Sequence, residues 1–518
     1  NFFLYFMNIL YFNLLFFGIV LLLFSFIFGC EEYLEEDFRD GVSPKTFYNS
    51  EAEAVMAVNG VYANLKAGDY NRTRWRAAPY QFGTDELSAS RNIWKELHNY
   101  TFDEGIYDGQ RIWNAVYNLI RNANSAIEGI EGNDKLSQSF RDQAVGELLT
   151  LRAFGYYDLT NQFGDVPYFR TLLSSDELSS LPRTLKATIR TDMKADLVKA
   201  FGLLPSTYSS SELGRMTKWA AMALKAKYHL LDSEWADCLA ASKNIIDNSP
   251  HRLMDKFEDV YNWAATTPST QVKPEHILWV DLAGASGSGM GTYGNANNMT
   301  NEFNPRLRDE PKNKKQKNAL KAKLKANNHA FTGYGAEVPL PALAKKSTWE
   351  DGDLRYDATI MTHYEGIELK FPYFKKLQNL DQVHSLRSSH PENIVFIRLA
   401  DIYLMAAESE NELNGPANAY QYVNKVRERA FEPDKPWSGK TQVTFRTSMY
   451  DERKWELCAE QHRRVDLIRW GILLETVKNT TYRKWNNGPT NIKAKHVKYP
   501  IPLNEILRNP KLLESDPT

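Results

Sequence analysis

The sequence predicts a mainly α-helical protein, in which helical hairpins of the tetratricopeptide type support a loop-rich binding region with short strands. Three observations carry this expectation. Apolar residues recur at helical spacing in several long segments, alanines gather where paired segments must meet, and residues 251–397 break the pattern with Gly, Asn, Pro and aromatics. At 518 residues the chain exceeds the roughly 150 residues of a typical single domain, so one large domain or two closely packed ones both fit. The pattern divides the body into an N-terminal part at about 51–250, an insertion at about 251–397 and a C-terminal helical part at about 398–518.

The first 29 residues carry no charged side chain and are rich in Phe, Leu and Ile. That is longer than the roughly 20 residues that cross a bilayer, so an uncleaved span and a cleaved leader are both admissible. The first basic residue is Arg39, no positive n-region precedes the run, and Met7 is an alternative start. Acids follow the run, which places the body across the membrane from the cytoplasm. Ile27-Phe28-Gly29-Cys30 resembles a bacterial lipobox, in which small residues admit the peptidase and the thiol takes a diacylglycerol. On this reading residues 1–29 are a signal peptide, Cys30 is the lipidation site, and residues 30–50 form a lipidated tether. Several acyl chains anchor stably because each buried methylene contributes about 0.8 kcal/mol.

Helical periodicity begins in EAEAVMAVNGVYANLKAG, where Val55, Val58, Val61, Tyr62 and Leu65 share a face. RIWNAVYNLIRNANSAIEGI repeats it with Ile112, Trp113, Val116, Tyr117, Ile120 and Ile127. Between them, residues 69–108 are polar, aromatic and aperiodic, a length of loop that is usually functional or disordered. DQAVGELLTLRAFGYYDLTNQFGDVP predicts a further helix, stopped by Gly164 and Pro167. KWAAMALKAKYHLLDSEWADCLAASKNIIDNSP predicts a hairpin turning at Asp232-Ser233, with Ala220, Ala223, Ala236 and Ala240 on the faces that meet. RLADIYLMAAESENELNGPANAYQYVNKVRERA predicts another, turning at Asn414-Gly415-Pro416. Residues 312–325, KNKKQKNALKAKLK, hold seven lysines and no acid, which predicts a solvated helix or loop.

With 63 Lys and Arg against 64 Asp and Glu, the net charge of −1 gives no general attraction to nucleic acid. Three cysteines, Cys30, Cys238 and Cys458, are too few for a disulfide scaffold or a Cys-based metal site. Cys238 and Cys458 are expected as independent buried thiols. Neither HExxH nor GxSxG nor a Walker glycine loop occurs. Glu408 and Glu410 lie two apart and face different directions on a helix, whereas Glu456 and Glu460 share a face and read as an ion-pair network with Arg463 and Arg464. A glycosidase acid and nucleophile drawn from distant segments would leave no motif. The aromatic loops suggest other chemistry: sugars offer C–H faces to a ring and hydroxyl edges to amides, carboxylates and guanidiniums. Trp75, Trp94 and Tyr100 lie among Asp85, Arg91 and Asn92, and the insertion adds Trp263 and Tyr293 with Asn295.

Ordered motifs then carry a family resemblance. They are CEEYLEED after the lipobox, TDEL at 84–87, LRAFGYYDLTNQFGDVPY at 151–168, GRMTKWAAMALKAKYHL at 214–230, IRLADIYLMAAESENELNG at 397–415, VNKVRERA at 423–430, DERKWELCAEQHRRVDLIRWG at 451–471 and YPIPLNEILRNPKL at 499–512. Over essentially the whole mature length the chain resembles the SusD/RagB family of outer-membrane nutrient-binding lipoproteins of Bacteroidetes. The resemblance implies a SusD-like fold over 51–518, a lipid anchor at the extracellular face of the outer membrane, and docking on a TonB-dependent, SusC-like transporter. It implies capture of oligosaccharides, or peptides in some members, without catalytic residues, metal ligands or a cofactor, and without nucleic acid as a partner. By analogy with starch-binding members, Arg91, Asn92, Trp94, Trp263 and Tyr293 are the expected glycan contacts. A peptide-binding or transporter-gating subunit of the same family is the alternative, and a surface glycoside hydrolase is a third reading.

Overall fold

Helices start where the sequence supplies a cap. Ser50 accepts the Glu53 backbone N–H while the Glu53 carboxylate accepts that of Ser50, a reciprocal box that opens α1 (Glu51–Leu65). The computed structural model describes residues 47–66, 76–90, 94–261, 272–281, 299–307, 311, 313–329, 333–380, 392–482 and 486–514. The chain divides into two compact units, Asn1–Asn49 and Ser50–Thr518, and all helices and strands named here lie in the second. Cys30 and most of the predicted tether lie outside the described residues.

The longer helices that follow are α2 (Tyr107–Ile130), α3 (Gln138–Gln162), α4 (Lys186–Leu203), α5 (Lys218–Leu231), α6 (Trp235–Asn248), α7 (Lys314–Ala326), α8 (Leu399–Asn414), α9 (Pro416–Glu428), α10 (Gln442–Glu456) and α11 (Arg463–Arg469). From α1 to α6 each helix packs on the next; α8 joins the row against α6, and α9 and α10 pack on α8. This is the side-by-side stacking of helical-repeat scaffolds, in which each unit buries its apolar face on its neighbour.

Within the row, α3 is buried on every side from Ala144 to Thr160. Its charged residues in that stretch therefore need partners: Glu147 pairs with Arg215 at 2.9 Å, Arg152 with Asp196 at 2.7 Å, and Asp158 with Arg76 at 2.6 Å. The α5–α6 hairpin turns at Asp232-Ser233 as expected, but its alanines divide differently. Ala220 and Ala223 are buried, whereas Ala236 and Ala240 are exposed. Because α6 begins at Trp235, its inward stripe falls on Cys238, Ala241, Ser242 and Ile245. Cys238 and Cys458 are both free and buried. The α8–α9 hairpin turns at Gly415, whose φ of 81° and ψ of −178° are open essentially to glycine alone, and Pro416 takes the first position of α9.

The insertion supplies most of the strands, as short antiparallel pairs. Strand β1 (Leu87–Ala89) pairs with β5 (Glu337–Pro339), β2 (Val166–Pro167) with β3 (Arg183–Thr184), β4 (His276–Val280) with β8 (Ile394–Arg398), and β6 (Ile360–Tyr364) with β7 (Ile367–Phe374). The aperiodic stretch at 69–108 is more structured than a loop: besides β1 it contains the short helices Ala77–Gln81 and Lys95–Asn99. The lysine run forms α7, and Leu320 and Leu324 set it on the β6–β7 hairpin in a cluster with Val338, Met361 and Leu369.

A Cβ at Gly415 would meet nothing within 4 Å, so its constraint is backbone conformation alone. Gly415→Ala is expected to lower stability by about 1–3 kcal/mol, read as a lower urea midpoint at unchanged m-value.

Candidate functional site

The segment that leads to the expected glycan loop is tied down by the C-terminal quarter of the chain. Arg76 donates to Asp158 through Nε and Nη2, and to Gln461 through Nη1 at 2.6 Å. Gln81 donates to the Ala459 carbonyl at 2.9 Å. Asp85 accepts from Arg463 at 2.7 Å, while Glu86 Oε2 accepts the Ala459 N–H at 3.0 Å. Burial opposes the charge on Asp85, but Arg463 outweighs it and the carboxyl is held down to about 2. Next to it, burial lifts Glu86 to about 8 against the pull of Arg463. Two neighbouring carboxyls thus sit in opposite protonation states at neutral pH.

Trp94 follows, just before the helix Lys95–Asn99. It is 1% exposed, and its ring stacks on Phe82 with centroids 5.1 Å apart and planes 26° apart. A sugar needs an open aromatic face, so this position corrects the expectation for Trp94: the ring anchors the base of the segment. Tyr100 is also buried and donates its hydroxyl to the Gly83 carbonyl. Arg91, Asn92, Trp263 and Tyr293 lie outside the described residues, as do Trp75 and Asn295.

Behind this segment lies a buried charge network. Arg398, the last residue of β8, donates to Glu275 at 2.7 Å, Glu456 at 2.7 Å and Glu460 at 2.7 Å. Arg429 bridges Glu275 at 2.5 Å and Glu456 at 2.8 Å. Arg355 reaches Asp353 at 2.8 Å, Glu452 at 2.6 Å and Glu456 at 3.1 Å, and Arg427 reaches Glu452 at 2.6 Å. Lys376 also donates to Glu460. Burial opposes ionisation of Glu456, yet the guanidiniums of Arg429, Arg398 and Arg355 outweigh it and hold the carboxyl well below the usual range. For Glu460, Arg398 and Lys376 do the same against burial, holding it at about 2.

This differs from the helical arrangement expected for Glu456 and Glu460. Helix α10 ends at Glu456, and Ala459 and Gln461 have positive φ, so Glu460 leaves the helix. Arg463 and Arg464 turn elsewhere, to Asp85 and to the His496 carbonyl. Glu408 and Glu410 do face apart, Glu408 accepting both terminal nitrogens of Arg469 and Glu410 accepting from Asn414. A signal for the network was present in ENIVFIRLADIYL, where one arginine interrupts an apolar run and so must be buried with a counter-ion. Among the described residues, His229, Glu234 and Asp237 bring ligand atoms within 4.8 Å of one another, but the Lys194 ammonium already occupies Glu234 at 2.6 Å.

Comparison with known proteins agrees with this architecture. Residues 274–517 match the family described as SusD family, and residues 32–230 match the one described as starch-binding associating with outer membrane. SusD-like protein P25 of Formosa agariphila is 42% identical over 96% of this chain and 97% of its own. A SusD superfamily protein from Bacteroides vulgatus has a TM-score of 0.74 at 21% identity, over 90% of this chain and 99% of that one. A laminarin-binding SusD-like protein has a TM-score of 0.71 at 23% identity, over 89% and 98%. A row of helical hairpins carrying a layer of loops and short strand pairs defines the class: a helical scaffold under a loop-rich layer. Within that class, the chain belongs to the SusD family.

Two outcomes follow from the buried charges. Arg398→Met removes a shared cation from three buried carboxylates, leaving them to Arg429, Arg355 and Lys376, and is expected to cost about 3–5 kcal/mol of stability in urea unfolding. Glu86 stays protonated in the fold up to about pH 8, whereas an unfolded glutamate ionises near 4.5. Folding therefore takes up a proton between those values, and stability falls as pH rises through that window. Glu86→Gln removes this dependence, so its melting temperature relative to the parent should be higher at pH 8 than at pH 5.

Proposed function

We propose that this protein is a cell-surface lipoprotein, anchored through Cys30 at the extracellular face of the outer membrane. It binds oligosaccharides and passes them to a TonB-dependent, SusC-like transporter. The observation that carries the reading is the match of residues 32–230 to the family described as starch-binding and associating with the outer membrane, a stretch that includes Arg91, Asn92 and Trp94. The fold shared with a laminarin-binding SusD-like protein supports it. Arg91, Asn92, Trp263 and Tyr293 are the proposed contacts, with Trp94 holding the base of the first loop. Binding is favoured over hydrolysis because the matched family is described as starch-binding and a similar structure as laminarin-binding.

A glycan array probed with the purified protein tests this, with peptides as the comparison. Binding to one oligosaccharide class is expected, without release of cleaved product over many equivalents of ligand. Trp263→Ala and Tyr293→Ala should each weaken that binding about tenfold, equivalent to about 1.4 kcal/mol. Cys30→Ser should move the protein from the membrane to the soluble fraction. Binding confined to peptides, or repeated turnover of a glycan, would falsify the assignment.

A further inference from the structure

Helix α7 is charged one way. No Asp or Glu occurs between Glu310 and Glu337, while the helix carries Lys314, Lys315, Lys317, Lys321, Lys323 and Lys325. Of these, Lys314, Lys317, Lys321 and Lys325 follow one another at three- or four-residue intervals and so form a single stripe, about 16 Å long at 1.5 Å per residue. Lys323 turns away from it and donates to the Glu365 carbonyl at 2.6 Å. Lys314, Lys317 and Lys325 form no ion pair with a described residue.

The like charges along this stripe do not favour the helix that bears them. Like charges at these spacings repel, and Lys314, Lys315 and Lys317 oppose the positive N-terminal end of the helix dipole. Leu320 and Leu324, buried on the β6–β7 hairpin, hold α7 in place despite that repulsion. Their cluster includes Val338 of β5, and β5 is hydrogen-bonded to β1, whose last residue, Ala89, lies two positions before Arg91. The stripe is therefore fixed to the same layer from which the proposed glycan loop departs.

We infer that the lysine stripe of α7 seats the acidic groups of an anionic oligosaccharide, carboxylates of uronic acids or sulfate esters, and so selects charged glycans over neutral ones. The inference rests on the glycan-binding reading above. A nucleic acid fits the stripe poorly because α7 has no aromatic side chain on which bases could stack. A lipid surface fits poorly because a helix that lies in a membrane interface needs a free apolar face, and both leucines of α7 are buried. Compact ammonium groups repeated every helical turn instead match acidic groups repeated along an extended sugar chain.

The test measures binding of the intact protein to oligogalacturonate and dextran sulfate, with neutral dextran and maltooligosaccharides as controls. At low salt the charged oligomers should bind at least tenfold tighter than the neutral ones, and added NaCl should shrink that ratio. The variant K314Q/K317Q/K321Q/K325Q should lose the preference at unchanged melting temperature, K321Q/K325Q should lose part of it, and K315Q, off the stripe, should keep it. Equal affinity for charged and neutral glycans, or a preference that survives in the quadruple variant, overturns the inference and leaves the glycan reading standing. Absence of binding to every glycan overturns both. Stripe-dependent binding to anionic phospholipid vesicles without binding to charged oligomers assigns α7 to a membrane surface and also overturns it.

Discussion

The strands and turn behind the 76–100 segment are registered against one guanidinium. Arg398 holds carboxylates from the start of β4, the end of α10 and the turn beyond it, and Arg355, Arg427 and Arg429 share those carboxylates or their neighbours. In a buried setting a charge left without its partner is worse than no pair at all, so the set forms together or not at all. That makes it a device for geometry more than for stability. It fixes where β4, β8, α10 and the 457–462 turn stand relative to one another, and the segment at 76–100 is in turn bonded to that turn.

The helical row solves a separate problem. Each helix from α1 to α6 buries its face on the next. The row meets the strand layer through α5, which packs on β4 and β8, through α8, which packs on β8, and through α3, whose Phe154 packs on Phe396 of β8 at 5.0 Å and whose Asp158 holds Arg76.

How much was legible in the sequence follows from the range of the forces involved. Most long helices were legible because 3.6-residue periodicity is local, although α4 and the short helices at 77–81 and 95–99 were not, and so were the turns, because Asp232-Ser233 and Gly415-Pro416 record backbone conformation directly. Family membership was legible in motifs that prove to lie mostly on the scaffold. What failed was partner identity. Ala236 and Ala240 looked like contact residues, but the start of α6 rotates them outward. Glu456 and Glu460 share helical spacing, yet their partners come from β8, from Arg429 just past the end of α9, and from residues 355 and 376, which no spacing encodes. Trp94 sits in an aperiodic polar stretch, and nothing local shows that Phe82 covers its face.

The ties between the 76–100 segment and the C-terminal quarter also set the order in which the protein can be finished. Asp85 waits for Arg463, the Thr84 carbonyl for Tyr482, and the Pro79 carbonyl for Tyr499, separations of 378, 398 and 420 residues. The helical row can assemble from its N-terminal end as the chain emerges, since its contacts are between successive elements. The segment that leads into the proposed binding loop cannot: its anchors are among the last residues to be delivered. A chain truncated or stalled before Tyr499 would therefore leave the segment before the proposed binding loop without its last anchor, and order in that segment becomes a mark of a chain made past Tyr499.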